Sequence, residues 1–185
     1  MPTPNLSAPF LLLLVGCAAA SPPSAPASRS AAPASSSAAS SKSAKLPDFT
    51  LETVDGDRFR LSDHVGNKVI VMSFWATWCN PCMAELPHLD EIYQSEKDNG
   101  LLILAVAMDE PGTVAQVAPT ASRLGLTMPV VLDTDQRAVR LYNRSRDAPR
   151  TVVIDRSGTI VRSSAGYNPG DEEKLRAEVQ ALLAQ

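Results

Sequence analysis

Basic residues are scarce where a nucleic-acid binder would need them. The chain carries 17 Lys and Arg against 20 Asp and Glu, for a formal net charge of −3, and the signs are evenly scattered. No stripe is left to track a phosphate backbone, which excludes nucleic acid as a partner. Histidine is rarer still, only His64 and His88, and the three cysteines stand at positions 17, 79 and 82. With no second Cys pair and no spaced histidine pair, a metal site is short of donors. The apolar run Phe10 to Val15 falls far below the roughly 20 residues that a membrane-spanning helix requires.

That short run does match the apolar centre of a secretion signal. It leads into Leu14-Val15-Gly16-Cys17, which resembles a bacterial lipoprotein signal box. On this reading residues 1–16 are a signal peptide, Cys17 begins the mature protein, and its sulfur carries a lipid instead of remaining a free thiol. Met1 to Ala8 lacks Lys and Arg, so only the terminal amine supplies the positive start of such a signal. The alternative is a plain secretion signal cut after Ala18 to Ala20. From Ala18 to Ala44 almost every residue is Ala, Ser or Pro, with too few large apolar groups to offset the entropy of ordering. Residues 17–45 therefore read as a flexible tether, and about 27 residues of coil span around 30 Å. The folded part is expected over residues 46–185.

Phe49 to Thr53 and Arg58 to Leu61 alternate around the turn signal Asp55-Gly56, which predicts a hairpin. Lys68 to Trp75 and Leu101 to Met108 are nearly continuous apolar runs of the kind buried on both faces of a sheet. Asn80 to Lys97 repeats apolar residues at helical steps through Met83, Leu86, Leu89 and Ile92. Thr113 to Leu124 reads as a helix that Pro119 must interrupt or bend. A short strand over Pro129 to Asp133, a helix over Asp135 to Tyr142, and a hairpin of Thr151 to Ile154 with Thr159 to Ser163 follow. The helix Gly170 to Leu183 closes the chain. Strands alternating with helices and ending in a hairpin imply an α/β fold with a mixed central sheet flanked by helices.

The most informative segment is Trp78-Cys79-Asn80-Pro81-Cys82. Its two thiols lie two residues apart behind an apolar strand and at the start of a helix, a setting that favours redox chemistry over zinc. A thiolate attacks a disulfide, and the N–H groups of a helix N-terminus stabilise negative charge. Cys79 is thus the expected attacking sulfur. Pro81 suits the first helical turn, and Cys82, a turn inward, can break the mixed disulfide. Glu85 falls three residues after Cys82 on the same helix face. Trp78 is a candidate for the substrate surface, and Trp75 reads as core. Neither histidine suggests a catalytic role.

Lys68 to Cys82 with Glu85-Leu86-Pro87, the opening Leu46-Pro47-Asp48-Phe49 and the later Ala148-Pro149-Arg150-Thr151-Val152-Val153-Ile154-Asp155 together resemble the membrane-anchored thioredoxin-like proteins of bacteria. These are the TlpA and ResA type, related to the redoxin and AhpC/TSA proteins. The resemblance implies a thioredoxin fold with an extra N-terminal β-hairpin and a central helical insertion, working as a thiol-disulfide oxidoreductase at the periplasmic side of the cell envelope. It implies a redox-active Cys79–Cys82 disulfide with no other cofactor, and a proton-moving role for Glu85. It also implies a cis peptide bond at Pro149 that presents the Ala148 backbone to substrate. Protein thiols and disulfides are the implied partners, apocytochrome c among them, with a membrane electron donor of the thiol-reducing type. Arg150 departs from the small polar residue usual after this proline, and is expected to change the charge preference near the sulfurs.

Two other readings use the same cysteines. A Cu(I) or zinc carrier wants further ligands that the chain does not offer. A peroxidase of the peroxiredoxin group would place a threonine and a proline where Ala76 and Met72 stand. A purely structural domain gives no reason for a dithiol that looks exposed.

Overall fold

The structure is a computed structural model and describes residues 46–185. The expected signal peptide, Cys17 and the tether lie outside the described residues. One sheet of seven strands organises the rest: β1 (Thr50–Thr53), β2 (Arg58–Arg60), β3 (Val69–Trp75), β4 (Leu101–Ala107), β5 (Val130–Leu132), β6 (Arg150–Ile154) and β7 (Ile160–Ala165). Their spatial order is β2-β1-β5-β4-β3-β6-β7. β3, β4 and β5 run parallel, while β6, β7 and the β1–β2 hairpin pair antiparallel, so the sheet is mixed as expected.

β3 and β4 lie at the centre, and every residue of both is buried. Alternate residues feed two cores. Val71 and Trp75 on β3, with Ile103 on β4, pack against α1 (Asn80–Glu96), α2 (Val117–Arg123) and α4 (Asp171–Leu183). Ile70, Met72 and Phe74, with Leu102 and Leu104, face α3 (Arg137–Tyr142) and the opening segment around Phe49 and Leu61. Each such Leu, Ile or Phe contributes about 1.5–3 kcal/mol on burial.

α1 buries Cys82, Glu85, Leu86, Leu89, Asp90 and Ile92; of the stripe that its spacing predicts, Leu86, Leu89 and Ile92 are buried and Met83 is half-buried. Pro87 sits inside it. Having no N–H, Pro87 leaves the carbonyl of Met83 without its usual helical donor. Asp90 ties the middle of α1 to the segment entering β5, accepting from the backbone N–H groups of Thr127 at 2.6 Å and Met128 at 2.8 Å.

The helix expected over Thr113 to Leu124 is not one broken by Pro119. A 3-10 turn spans Val114–Gln116 and α2 starts at Val117, so Pro119 falls in the first turn, where an N–H has no helical partner to lose. α3 starts at Arg137 instead of Asp135, because the buried carboxylate of Asp133 accepts the backbone N–H groups of Arg137, Ala138 and Val139. In the β6–β7 turn, Gly158 has φ +82°, and a Cβ there would stand 3.0 Å from Val65 Cγ1, so glycine is required twice over. Among the described residues no helix is long and apolar enough to cross a membrane.

Candidate active site

The chain leaves β3 at Trp75 and must turn into α1 within a few residues. Asp109, just past β4, holds this turn: its buried carboxylate accepts the Thr77 backbone N–H at 3.0 Å and the Thr77 hydroxyl at 2.5 Å. The parallel β3–β4 pairing brings these residues together across the sheet end. The Cys79 N–H then donates to the carbonyl of Ala76 at 3.0 Å. Sequence reasoning missed Asp109; the only signal was an acid at the end of a buried strand.

Cys79 is the N-cap of α1, and its Sγ accepts the Cys82 backbone N–H at 3.2 Å. The two sulfurs are joined at 2.04 Å in a disulfide. Pro81 lies in the first helical turn, exposed, as its missing donor permits. The pair is less open than the sequence suggested: Cys79 keeps only 4% of its surface in solvent and Cys82 none. Of the two, only Cys79 has any surface in solvent. Trp78 beside it is 63% exposed, while Trp75 is fully buried, in the core as read from sequence.

Glu85 is buried at 5% exposure, one turn beyond Cys82. Thr151 Oγ1 donates to its Oε1 at 3.0 Å and Ser73 Oγ to its Oε2 at 3.3 Å. The register that pairs Ser73 with Thr151 across β3 and β6 puts both hydroxyls under one carboxyl. Burial pushes the Glu85 carboxyl above the usual range, and the two hydroxyls offset part of that rise.

The Ala148–Pro149 peptide bond is cis. It immediately precedes β6, whose Arg150 pairs with Phe74 near the end of β3, so Pro149 and the disulfide turn emerge at the same end of the sheet. Arg150 stands directly after the cis proline. Its register with Phe74 sets it on the α3 face, away from Thr151 and Glu85, and its Nη1 donates to Asp147 Oδ2 at 2.6 Å. The guanidinium charge is met by a carboxylate three residues before it.

Trp78 also walls a cleft of about 300 Å³ together with Met108, Glu110, Gln136 and Arg146. Gln136 and Arg146 adopt left-handed backbone conformations, φ 58° and 59°, uncommon for side chains of this size. Arg146 Nη2 donates to Gln136 Oε1 at 3.0 Å, and Gln136 Nε2 to the Met108 carbonyl at 3.2 Å. Strain of this kind gathers at ligand-binding sites. Nothing in the local sequence marks either residue. His64 ends a turn and stacks on Phe59 at 4.9 Å, and His88 is half-exposed beside Glu91. Among the described residues no three His, Cys, Asp or Glu side chains gather to hold a metal ion.

A disulfide with one sulfur capping a helix at the rim and the other sealed beneath it is built to be opened from one side, not merely to cross-link. On a sheet of this order it defines a thioredoxin-fold thiol-disulfide oxidoreductase. Comparison with known proteins agrees. Residues 43–163 match the AhpC/TSA family. The thiol-disulfide oxidoreductase ResA of Geobacillus kaustophilus is 39% identical over 120 residues, 65% of this chain and 67% of the relative. That of Geobacillus thermodenitrificans is 35% identical over 132 residues, 71% of this chain and 74% of the relative. A thiol:disulfide interchange protein of the thioredoxin family from Chlorobium tepidum superposes with a TM-score of 0.64 at 26% identity, covering 75% of this chain and 95% of its own. The chain belongs to the AhpC/TSA family and, within the thioredoxin fold, to the ResA-like thiol-disulfide oxidoreductases.

Proposed function

We propose that this protein is an extracytoplasmic reductase of protein disulfides, held to a membrane of the bacterial cell envelope, on the periplasmic side, by lipid on Cys17. The carrying observation is the Cys79–Cys82 disulfide at the N-terminus of α1, with only Cys79 touching solvent. The N–H groups of that helix end favour a thiolate at Cys79, which attacks a substrate disulfide and forms a mixed disulfide. Cys82 then attacks Cys79, and the second substrate sulfur leaves reduced. Glu85 takes and returns the proton of the buried Cys82, a task suited to a carboxyl that burial pushes above its usual range.

Protein thiols and disulfides are its partners. Substrate lies along Trp78 and Pro81, main chain against Ala148 and Pro149, with the Trp78 cleft taking a neighbouring side chain. Apocytochrome c before haem attachment is the proposed substrate, and a membrane dithiol carrier the electron donor. The ResA and interchange-protein relatives support this reading, as does a similar structure described as a secreted Mycobacterium tuberculosis disulfide oxidoreductase, 25% identical with a TM-score of 0.62.

A redox titration against glutathione tests direction: a potential near the thioredoxin end, about −270 mV, is expected, and one near −120 mV makes the protein an oxidant. The variant Cys79→Ser loses disulfide-reducing turnover, whereas Cys82→Ser accumulates the mixed disulfide. Rapid consumption of hydrogen peroxide by Cys79, or tight Cu(I) binding without reductase activity, overturns the proposal. Labelled fatty acid incorporated by the full chain and lost in Cys17→Ser establishes the anchor.

A further inference from the structure

Cys82 is wholly buried, yet its thiol proton has to leave before its sulfur can attack Cys79. With substrate seated over Cys79, the rim is closed to that proton as well. Glu85 accepts it, but Glu85 is itself buried and must pass it on.

Behind Glu85 lies a cavity of about 60 Å³. A water takes about 30 Å³ in the liquid, so the cavity has room for roughly two. Its walls come from β6, β7, α1 and α4, and none of them is Trp78, Cys79, Ala148 or Pro149. Thr151 and Ser164, cross-strand partners on β6 and β7, carry hydroxyls along it. Tyr167 and Glu172 line it too and are joined by a hydrogen bond from the tyrosine hydroxyl to Glu172 Oε2 at 3.0 Å.

We propose that this cavity is the proton route between Glu85 and solvent, with water inside it and the Tyr167–Glu172 pair at its mouth as the relay. The proposal rests on the roles given above to Cys79, Cys82 and Glu85. In the second step the Cys82 thiol gives its proton to the Glu85 carboxylate. Its sulfur bonds to Cys79 Sγ, the Cys79–substrate bond breaks, and the substrate sulfur leaves with that electron pair and takes a proton from solvent. Glu85 then releases the Cys82 proton through cavity water to Glu172 and solvent. The dithiol is oxidised, the substrate disulfide is reduced, and two protons stay with the two substrate thiols.

The charged groups around the route suit this direction. Arg162 on β7 favours ionised Glu85, and its Nη1 donates to Glu178 Oε2 at 2.9 Å; Asp171 on α4 disfavours it, and is paired with Lys174 at 2.9 Å. Glu172 is held ionised first by its own backbone N–H at the start of α4, then by the Tyr167 hydroxyl, the Gly170 N–H and the charge of His88 on α1. A proton that reaches it is therefore handed on readily to solvent. Tyr167, pushed up to about 12 by burial and by Glu172, passes a proton by exchanging it and does not ionise.

The test is single-turnover oxidation of the reduced full chain by a saturating peptide disulfide, which resolves formation of the mixed disulfide from its breakdown. Tyr167→Phe and Glu172→Gln should each slow breakdown about tenfold, and Ser164→Leu, which fills the cavity, about a hundredfold. Formation at Cys79 stays at the wild-type rate, the solvent deuterium effect on breakdown grows, and added imidazole restores part of the lost rate in Tyr167→Phe and Glu172→Gln. Wild-type breakdown rates in all three variants overturn the proton route. So does slowing of both steps together without rescue by imidazole. Failure of the wild type to form any mixed disulfide instead overturns the dithiol reading beneath it.

Discussion

The hydroxyl of Thr151 donates to Glu85 at 3.0 Å although 66 residues separate the two in the chain. Strand pairing between β3 and β6 creates that contact, and with it a buried acid whose ionisation is costly but not forbidden. Ser73 supplies the second donor from the neighbouring strand. The dithiol and its acid thus share one helix face, while the groups that tune the acid come from the sheet.

Glu85→Gln should slow breakdown of the mixed disulfide by about a hundredfold, the ordinary worth of a positioned acid–base group. Its effect on stability has a definite sign. A carboxyl whose folded pKa is raised binds its proton more tightly in the native state, so the stability it contributes is fully present below its unfolded value. That stability is lost as pH rises through the folded one. The glutamine variant has no such loss. Urea titrations from pH 4 to pH 7 should show the variant gaining on the wild type as pH rises; a constant difference sinks this assignment.

Asp109→Ala leaves the Thr77 backbone N–H without its acceptor beside the disulfide. A buried carboxylate with two hydrogen bonds is expected to cost about 3 kcal/mol on removal. Denaturant midpoints measure this. The same variant should expose the 76–79 turn, seen as faster amide exchange at Thr77; unchanged exchange there counts against Asp109 as the clamp.

Trp75 Nε1 is buried and has no hydrogen-bond partner among the described residues. Trp75→Phe gives up part of the ring but also removes an unsatisfied donor worth about 1–3 kcal/mol. The two effects oppose, and a net change within about 1 kcal/mol is expected, whereas Trp75→Ala should cost about 3–5 kcal/mol. Comparing the two variants by thermal unfolding separates packing from the orphaned N–H.

Arg150→Ala removes a partly exposed pair with Asp147, at 22% exposure of the arginine side chain, and should cost about 1 kcal/mol. Because that charge is matched and faces α3, the pH profile of Cys79 alkylation in the reduced protein should stay put. A displaced profile would show that the guanidinium acts on the sulfur after all.

Much of this architecture could be read from residue order. β3 and β4 are apolar runs with no alternation, α1 carries a helical stripe, and Cys79 to Cys82 with Pro81 marks a helix start. Such features are local and periodic. What escaped notice joins distant parts of the chain, Asp109 with Thr77 and Asp90 with Thr127, or rests on one carboxylate bridging a turn, as Asp133 does at the start of α3. An acid that serves backbone N–H groups elsewhere looks like any surface acid. The side of the sheet that Arg150 faces depends on register, which a one-residue slip would reverse. The left-handed turns at Gln136 and Arg146 lack the glycine that normally announces them.

Pro87 stands directly after the two turns of α1 that hold Cys79, Cys82, Glu85 and Leu86, and before the turns that anchor Leu89 and Ile92 in the core. The missing bond to the Met83 carbonyl opens one rung of the helix ladder at this place. The sulfurs and their acid thus sit on one side of a single unmade backbone bond, and the residues that grip the sheet sit on the other.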